Sequence, residues 1–348
     1  MTHGLTVVFI ALLIVVFFLI LLVLLYGYKN YELIQNQSVW NKLIETKVST
    51  AILEGSMTIK KDPELTALIK NNNFKKIFLS VLIASEQKFS GDAHRVLIEV
   101  FYAFKLDTLA WAKFRSKDGL KKVRGLQALT AMQVEKALPE IIPLLNYNDP
   151  LVVSEAQYAS VRLEGFKGLE FLTSLKSPLS KWQQLRLLRA INDFSPVHYN
   201  FVVTLLKHSN ISVIEFALSL VRKFRILSCY NVITELLTHE NTPLRIHVVK
   251  TLQAIESEDT LALMTSEYGG QEDEVKKVIL LALKKSANKK SIDFLKTILA
   301  EENEPLKIIA AETLFTLGET EYLHTLLVKE IIPEQIRSVV KHALAIRL

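Results

Sequence analysis

The sequence predicts an all-α chain in which a single N-terminal transmembrane helix is followed by a solenoid of repeated helix pairs. Three observations predict it. Leu5–Tyr26 is one apolar block without a charge. From about Lys117 onward, an aliphatic residue opens a helical pattern at intervals of twenty-nine to thirty-one residues. No stretch of comparable length alternates apolar and polar residues with the period of two that a strand requires.

The 348 residues are 50% hydrophobic and 22% charged, with a net charge of +6. That balance excludes a disordered chain. A single cysteine, Cys229, excludes a disulfide scaffold and a cysteine-based zinc or iron–sulfur site. Eleven glycines and nine prolines leave room for long helices. The mean hydropathy of +0.25 is high for a soluble protein of this size. Most of the excess comes from Leu5–Tyr26, and the remainder has an ordinary apolar content.

As a helix, Leu5–Tyr26 would be ~33 Å long, slightly more than a hydrocarbon core of ~30 Å. Tyr26, Tyr28 and Tyr31 follow it, where amphipathic rings favour the interface. The residues before it carry no Lys or Arg, the run is long for a signal peptide, and no A-x-A site follows. No nearby cysteine could be lipidated. The block is therefore expected to be a retained anchor, residues 1–28. Lys29, Lys42 and Lys47 lie after it and nothing comparable precedes it. The positive-inside rule then places the N-terminus outside and the bulk of the chain in the cytoplasm.

Residues 29–116 do not follow the repeat and read as a juxtamembrane helical segment and cap. Tyr31–Glu54 is expected to continue the membrane helix. Gly55–Pro63, with Gly, Ser, two Lys and Pro, is the expected hinge. Short helices are expected over Glu64–Lys70, Phe74–Gln87, Ala93–Lys105 and Asp107–Phe114. An irregular cap and two diverged repeats both fit this segment.

Residues 117–348 form the repeat array, about seven helix pairs and a terminal helix. The first helices open at Val123, Val152, Trp182, Val213, Leu244, Val275, Leu306 and Ile336. Further small or apolar residues four, seven and eight positions later define one helix face. Second amphipathic stretches follow, for example Ala137–Leu145, Gly168–Leu175, Tyr199–Leu206 and Tyr230–Leu237. Asp149-Pro150, Ser177-Pro178, Thr242-Pro243 and Glu304-Pro305 mark helix starts, where Pro costs no hydrogen bond. The Asp, Ser and Thr before it are expected caps. Stacked hairpins share a continuous core that a lone hairpin lacks.

The array resembles the HEAT-repeat family over about Lys117–Leu348, most clearly in two units. They are Thr242-Pro243-Leu244-Arg245 and Glu304-Pro305-Leu306-Lys307-Ile308-Ile309-Ala310-Ala311-Glu312-Thr313-Leu314, which look like the family's D-x-x-V-R-x-x-A-x-x-A-L helix. The basic residue after the opening is present as Arg124, Arg245, Lys276, Lys307 and Arg337, and absent from the units opening at Val152, Trp182 and Val213. The resemblance implies a right-handed α–α superhelix, a HEAT-like solenoid. The stretch from Ala156-Gln157-Tyr158-Ala159 to Trp182-Gln183-Gln184-Leu185 is also similar to bacterial membrane-anchored HEAT proteins of no assigned activity. Some of these lie beside signalling or polysaccharide-synthesis genes, which implies a protein partner of that kind and a bacterial inner membrane.

No P-loop, G-x-G-x-x-G, G-x-S-x-G or H-E-x-x-H is present, so no cofactor, metal or catalytic residue is assigned. His208 and His239 stand thirty-one residues apart. They fit a metal-binding ladder less well than polar helix ends, because no carboxylate or thiol completes a shell. The basic column from Arg124 to Arg337 would bind phosphates or, more simply, form an inter-repeat ladder with carboxylates. The positive charge is mild and dispersed, so nucleic acid is not expected.

The unit opening at Trp182 breaks the pattern. Arg186 and Arg189 stand where other units are apolar, on one stripe with Trp182 at i, i+4 and i+7. The helix has rotated, or its register has slipped by three. Trp182, Arg186 and Arg189 are the candidate partner-binding residues, being of types enriched in binding hot spots. A local surface stack or packing against the next unit is the structural alternative. The expected function is a membrane-anchored, non-catalytic scaffold that binds or organises another protein. The second reading, implied by HEAT-like chromophore lyases and DNA glycosylases, is an enzyme with its site between repeats.

Overall fold

The computed structural model describes residues 2–86, 88–89, 91–257, 259–328 and 332–345; the side chains of 2–9, 11 and 26–35 lie outside the description. The described residues form α-helices and short 3-10 stretches, without a strand. The chain divides into two compact units, 1–164 and 165–348, so the division falls inside the expected array 117–348.

The first unit is built on α1 (Thr2–Glu54), a single unbroken helix. It stops at Gly55, whose φ of 100° no side-chain-bearing residue adopts easily. The expected hinge Gly55–Pro63 is shorter than anticipated. α2 (Ser56–Lys60) forms inside it, and α3 (Pro63–Leu68) starts at once because Asp62 accepts a hydrogen bond from the Leu65 amide at 3.0 Å. α4 (Asn72–Glu86), α5 (Asp92–Ala103) and α6 (Leu106–Phe114) follow close to the positions read from the sequence. Ile44, Val48 and Ala51 of α1, at spacings of four and three, are fully buried. Phe74, Phe78, Leu82 and Phe101 share their core, and Trp40 meets Phe74 edge-on at 5.5 Å.

Ile10 and Leu12–Leu25 of α1 are exposed on every side of the helix. Among the described residues, no helix is long and apolar enough to cross a membrane. The expected span Leu5–Tyr26 extends at both ends beyond the described side chains. Leu12–Leu25 alone is ~21 Å of helix, short of a ~30 Å core. The interfacial Tyr26, Tyr28 and Tyr31, and Lys29, also lie outside the described side chains.

α7 (Gly119–Ala131), α8 (Leu138–Ile141) and α9 (Pro150–Glu164) complete this unit. α6 and α7 cross backbone against backbone at Gly125. A Cβ added there would lie 2.1 Å from the Phe114 nitrogen and 2.7 Å from the Lys113 carbonyl carbon.

The second unit contains α10 (Lys181–Ala190), α11 (Tyr199–Leu206), α12 (Ile211–Phe224), α13 (Tyr230–Thr234), α14 (Thr242–Ala254) and α15 (Thr260–Glu267). It continues with α16 (Asp273–Ser286), α17 (Ile292–Glu301), α18 (Glu304–Thr316), α19 (Thr320–Val328) and α20 (Glu334–Ala345). The first helices α12, α14, α16, α18 and α20 lie side by side in sequence order. Their openings Val213, Leu244, Val275, Leu306 and Ile336 are all buried. This is a helical-repeat fold, each hairpin covering the apolar face of the next.

Second helices are shorter than the dozen residues expected. Pro139 and Pro143 break Ala137–Leu145 into α8 flanked by 3-10 turns, because each lacks the amide a following helical turn needs. Gly168–Leu175 lies mostly within a 3-10 run, Gly165–Ser174. Of the expected caps, Asp149 accepts from the Leu151 amide at 2.9 Å, ahead of α9. Thr242 is instead a first-turn residue and Asn241 caps in its place, as Asn303 does before Glu304, accepting from the Leu244 and Leu306 amides at 2.9 and 3.3 Å. Ser177 caps nothing, since α10 begins later behind Ser180. One residue earlier, the short Asn side chain reaches the open amides while Pro still falls in the first turn, where no amide is missed.

Candidate functional site

α10 starts where it does because Ser180 and Gln183 form a reciprocal capping box. Ser180 Oγ accepts from the Gln183 amide at 3.2 Å, and Gln183 Oε1 accepts from the Ser180 amide at 2.9 Å. Trp182 therefore falls in the first helical turn and is 66% exposed. Leu185 and Arg189 on the same side are exposed, and Arg186 is half-buried.

The helix has neither rotated nor slipped. Gln184, Leu187 and Ala190 are buried, and so are Glu215, Leu218 and Val221, thirty-one residues later in α12. Gln184 Nε2 also donates to Glu215 Oε2 at 3.4 Å, linking equivalent positions. What differs is the second face. Val213, Phe216, Ala217 and Leu220 are fully buried in α12, whereas their counterparts Trp182, Leu185, Arg186 and Arg189 are exposed or half-buried. Polar and aromatic residues thus stand on a helix side that needs no apolar packing.

Beside this stripe is a polar cluster that the sequence did not single out. Lys181 Nζ lies 2.5 Å from the nearly buried carboxylate of Glu215. Gln184 Nε2 donates to the Leu179 carbonyl at 3.2 Å. His247 of α14 is near enough to sense these charges. Burial pushes its imidazole below the ordinary value, Glu215 opposes this, and Lys181 and Arg222 reinforce it. Its Nδ1 is buried with no hydrogen-bond partner among the described residues. The one available signal was Glu215 itself, a carboxylate inside Ile-Ser-Val-Ile-Glu-Phe-Ala-Leu.

An open groove runs along the same edge, lined among others by Thr173, Lys176, His208, Asn210 and Ser212. Its polar groups satisfy one another. Asn210 Nδ2 donates to the Leu175 and Ser177 carbonyls at 3.2 and 2.9 Å, and Asn210 Oδ1 accepts from Ser212 Oγ at 2.7 Å. His208 Nδ1 accepts the Asn210 amide at 2.9 Å, so its Nε2 carries the proton and donates to the Thr173 carbonyl at 3.3 Å. His239 repeats the device, accepting the Asn241 amide at 3.0 Å. The thirty-one-residue histidine pair thus closes turns between helices, with Nδ1 engaged by backbone.

The basic column behaves as a ladder in part. Arg245 pairs with Glu272, and Lys276 with Glu302 at 2.7 Å, each carboxylate preceding the next unit's first helix. Arg124 is exposed and makes no such pair among the described residues. Cys229 is buried, and burial pushes its thiol up to about 11, away from nucleophilic character. Among the described residues, no three His, Cys, Asp or Glu side chains are placed to hold a metal ion.

No protein-family model matches the chain, and no curated protein matches it in sequence. Several solved structures are similar to it, two of which are the following. An engineered protein is 16% identical, with a TM-score of 0.36, covering 88% of this chain and 98% of its own. Human deoxyhypusine hydroxylase, solved with glycerol, is 15% identical, with a TM-score of 0.29, covering 89% of this chain and 97% of its own. Likeness at this level extends to nothing about activity.

Proposed function

We propose that the chain is a membrane-anchored, non-catalytic scaffold that binds another protein through the Trp182–Arg189 stripe. In this reading residues 1–28 are the anchor, 29–116 a juxtamembrane segment and cap, and 117–348 a HEAT-like right-handed superhelix. The observation that carries it is the exposed Trp182 at a repeat position where Val213 is fully buried. Trp182 and Leu185 are exposed together on one side of α10, and Trp beside Arg is a common hot-spot composition. The uniformly exposed apolar side chains of Ile10 and Leu12–Leu25 support the anchor. The lysine bias supports an outside N-terminus and a cytoplasmic bulk.

The test is quantitative capture from solubilised membranes with Trp182→Ala/Arg189→Glu alongside the wild type. One protein recovered with the wild type should fall at least about tenfold with the variant, as loss of a hot spot of ~2 kcal/mol implies. Circular dichroism should be unchanged. Equal recovery by both chains would remove the stripe from the interface.

A further inference from the structure

α10 carries more positive charge than its own fold requires. It holds Lys181, Arg186 and Arg189 and no acid. A helix dipole favours acids in the first turn, and α16, α18 and α20 of the same unit begin with Asp273, Glu304 and Glu334. α10 begins with Lys181 instead. The carboxylate that answers Lys181 is Glu215, which is nearly buried and also accepts from Gln184, so it turns little negative charge outward.

The other end of α10 needs no further cation either. Lys223 of α12 donates to the Leu188 carbonyl at 2.7 Å and to the Ile191 carbonyl, so an ammonium already caps the last turn and meets its dipole. Arg189 is left exposed, and among the described residues it makes no hydrogen bond or ion pair. It stands on the side of α10 where Trp182 and Leu185 are exposed. From Trp182 to Arg189 is two helical turns, ~10 Å along the axis. An apolar patch at one end and a free guanidinium at the other match a segment with an apolar side chain and, about three residues away if extended, a carboxylate. A planar fork suits a single carboxylate held bidentately. An anionic lipid surface is drawn instead to clusters of about four to eight cations, more than α10 offers.

We infer that the partner of this stripe is a protein presenting an acidic segment, with a carboxylate on Arg189 and an apolar side chain on Trp182 and Leu185. This rests on the scaffold reading and adds the chemistry of what is bound.

The test places a photoreactive residue at Leu185 of the chain in intact cells and sequences the cross-linked peptide. The expected adduct is a protein segment of net negative charge with an Asp or Glu within about four residues of the attachment point. That segment is then made as a peptide and its affinity for the purified chain is measured. Arg189→Gln should weaken binding about fivefold and Arg189→Glu about fiftyfold or more, with Arg189→Lys between wild type and Arg189→Gln. Replacing the acidic residue of the peptide by Lys should restore binding to Arg189→Glu. Circular dichroism should be unchanged throughout, since Arg189 is exposed. An adduct whose segment holds no carboxylate, or equal affinities of Arg189→Gln and Arg189→Glu, would overturn the acidic partner and leave the scaffold reading standing. Lipid adducts alone, or no adduct from either Leu185 or Trp182, would overturn both.

Discussion

Trp182 and Val213 occupy the same position of successive repeats, and the first is two-thirds exposed where the second has no exposed surface. Their stability effects should separate accordingly. Val213→Ala should cost about 2 kcal/mol through lost burial and a residual cavity. Trp182→Ala should cost less than about 1 kcal/mol. Denaturant unfolding of the two variants measures both. A cost for Trp182→Ala equal to that of Val213→Ala would make the tryptophan a packing residue.

Gly125 is required by contact rather than by backbone conformation. Gly125→Ala should destabilise the first unit by about 3 kcal/mol or more, because the added methyl meets the backbone of α6, which cannot yield as a side chain tip would. Gly270→Ala should be close to neutral, since Gly270 is exposed and nothing lies within 4 Å of where its Cβ would stand. Thermal unfolding of the two variants checks this, and equal melting temperatures would contradict it.

Much of the architecture is legible in the sequence. The period of thirty-one, the position of α4, α5 and α6, and the end of α1 at Gly55 all follow from local rules: apolar spacing, proline and a glycine stop. The cap of α14 is displaced by a residue because Asn241 and Thr242 stand together, and only geometry shows which side chain reaches the amides. The pairing of Lys181 with Glu215, and that of Arg162 with Glu86, could not be read at all. Each brings together residues from separate helices, and sequence spacing carries no distance between helices.

The cap assignment is testable. Asn241→Ala should cost about 1 kcal/mol, since the Leu244 amide loses its acceptor. Thr242→Ala should cost a few tenths at most. Reversal of that order in urea unfolding would restore Thr242 as the cap.

Two histidines should make the fold acid-sensitive. Burial lowers His94 and His247 below the ordinary 6.5, so the folded chain holds them neutral while the unfolded chain takes up protons. Their contribution is complete above pH 6.5 and is lost as pH falls below it. The melting temperature should drop between pH 7 and pH 5, and His94→Gln/His247→Gln should flatten the drop. An unchanged pH profile in that variant would exclude both groups as its source.

The charge pair behind the stripe should matter more than surface pairs do. Lys181→Met leaves the nearly buried Glu215 carboxylate without its cation and should cost about 1–2 kcal/mol. Lys121→Met, which removes an exposed pair with Asp118 at 3.7 Å, should cost almost nothing. Equal unfolding midpoints for the two variants would show that Glu215 is solvated after all.

The most direct measurement is site-specific photo-crosslinking of the chain in intact cells. A photoreactive residue is placed at Trp182 and, as a control, at Leu281, another exposed apolar position of the second unit. The scaffold reading predicts one discrete adduct from position 182 that is absent from position 281 and lost with Arg189→Glu. No adduct at 182, or the same products from both positions, would contradict it.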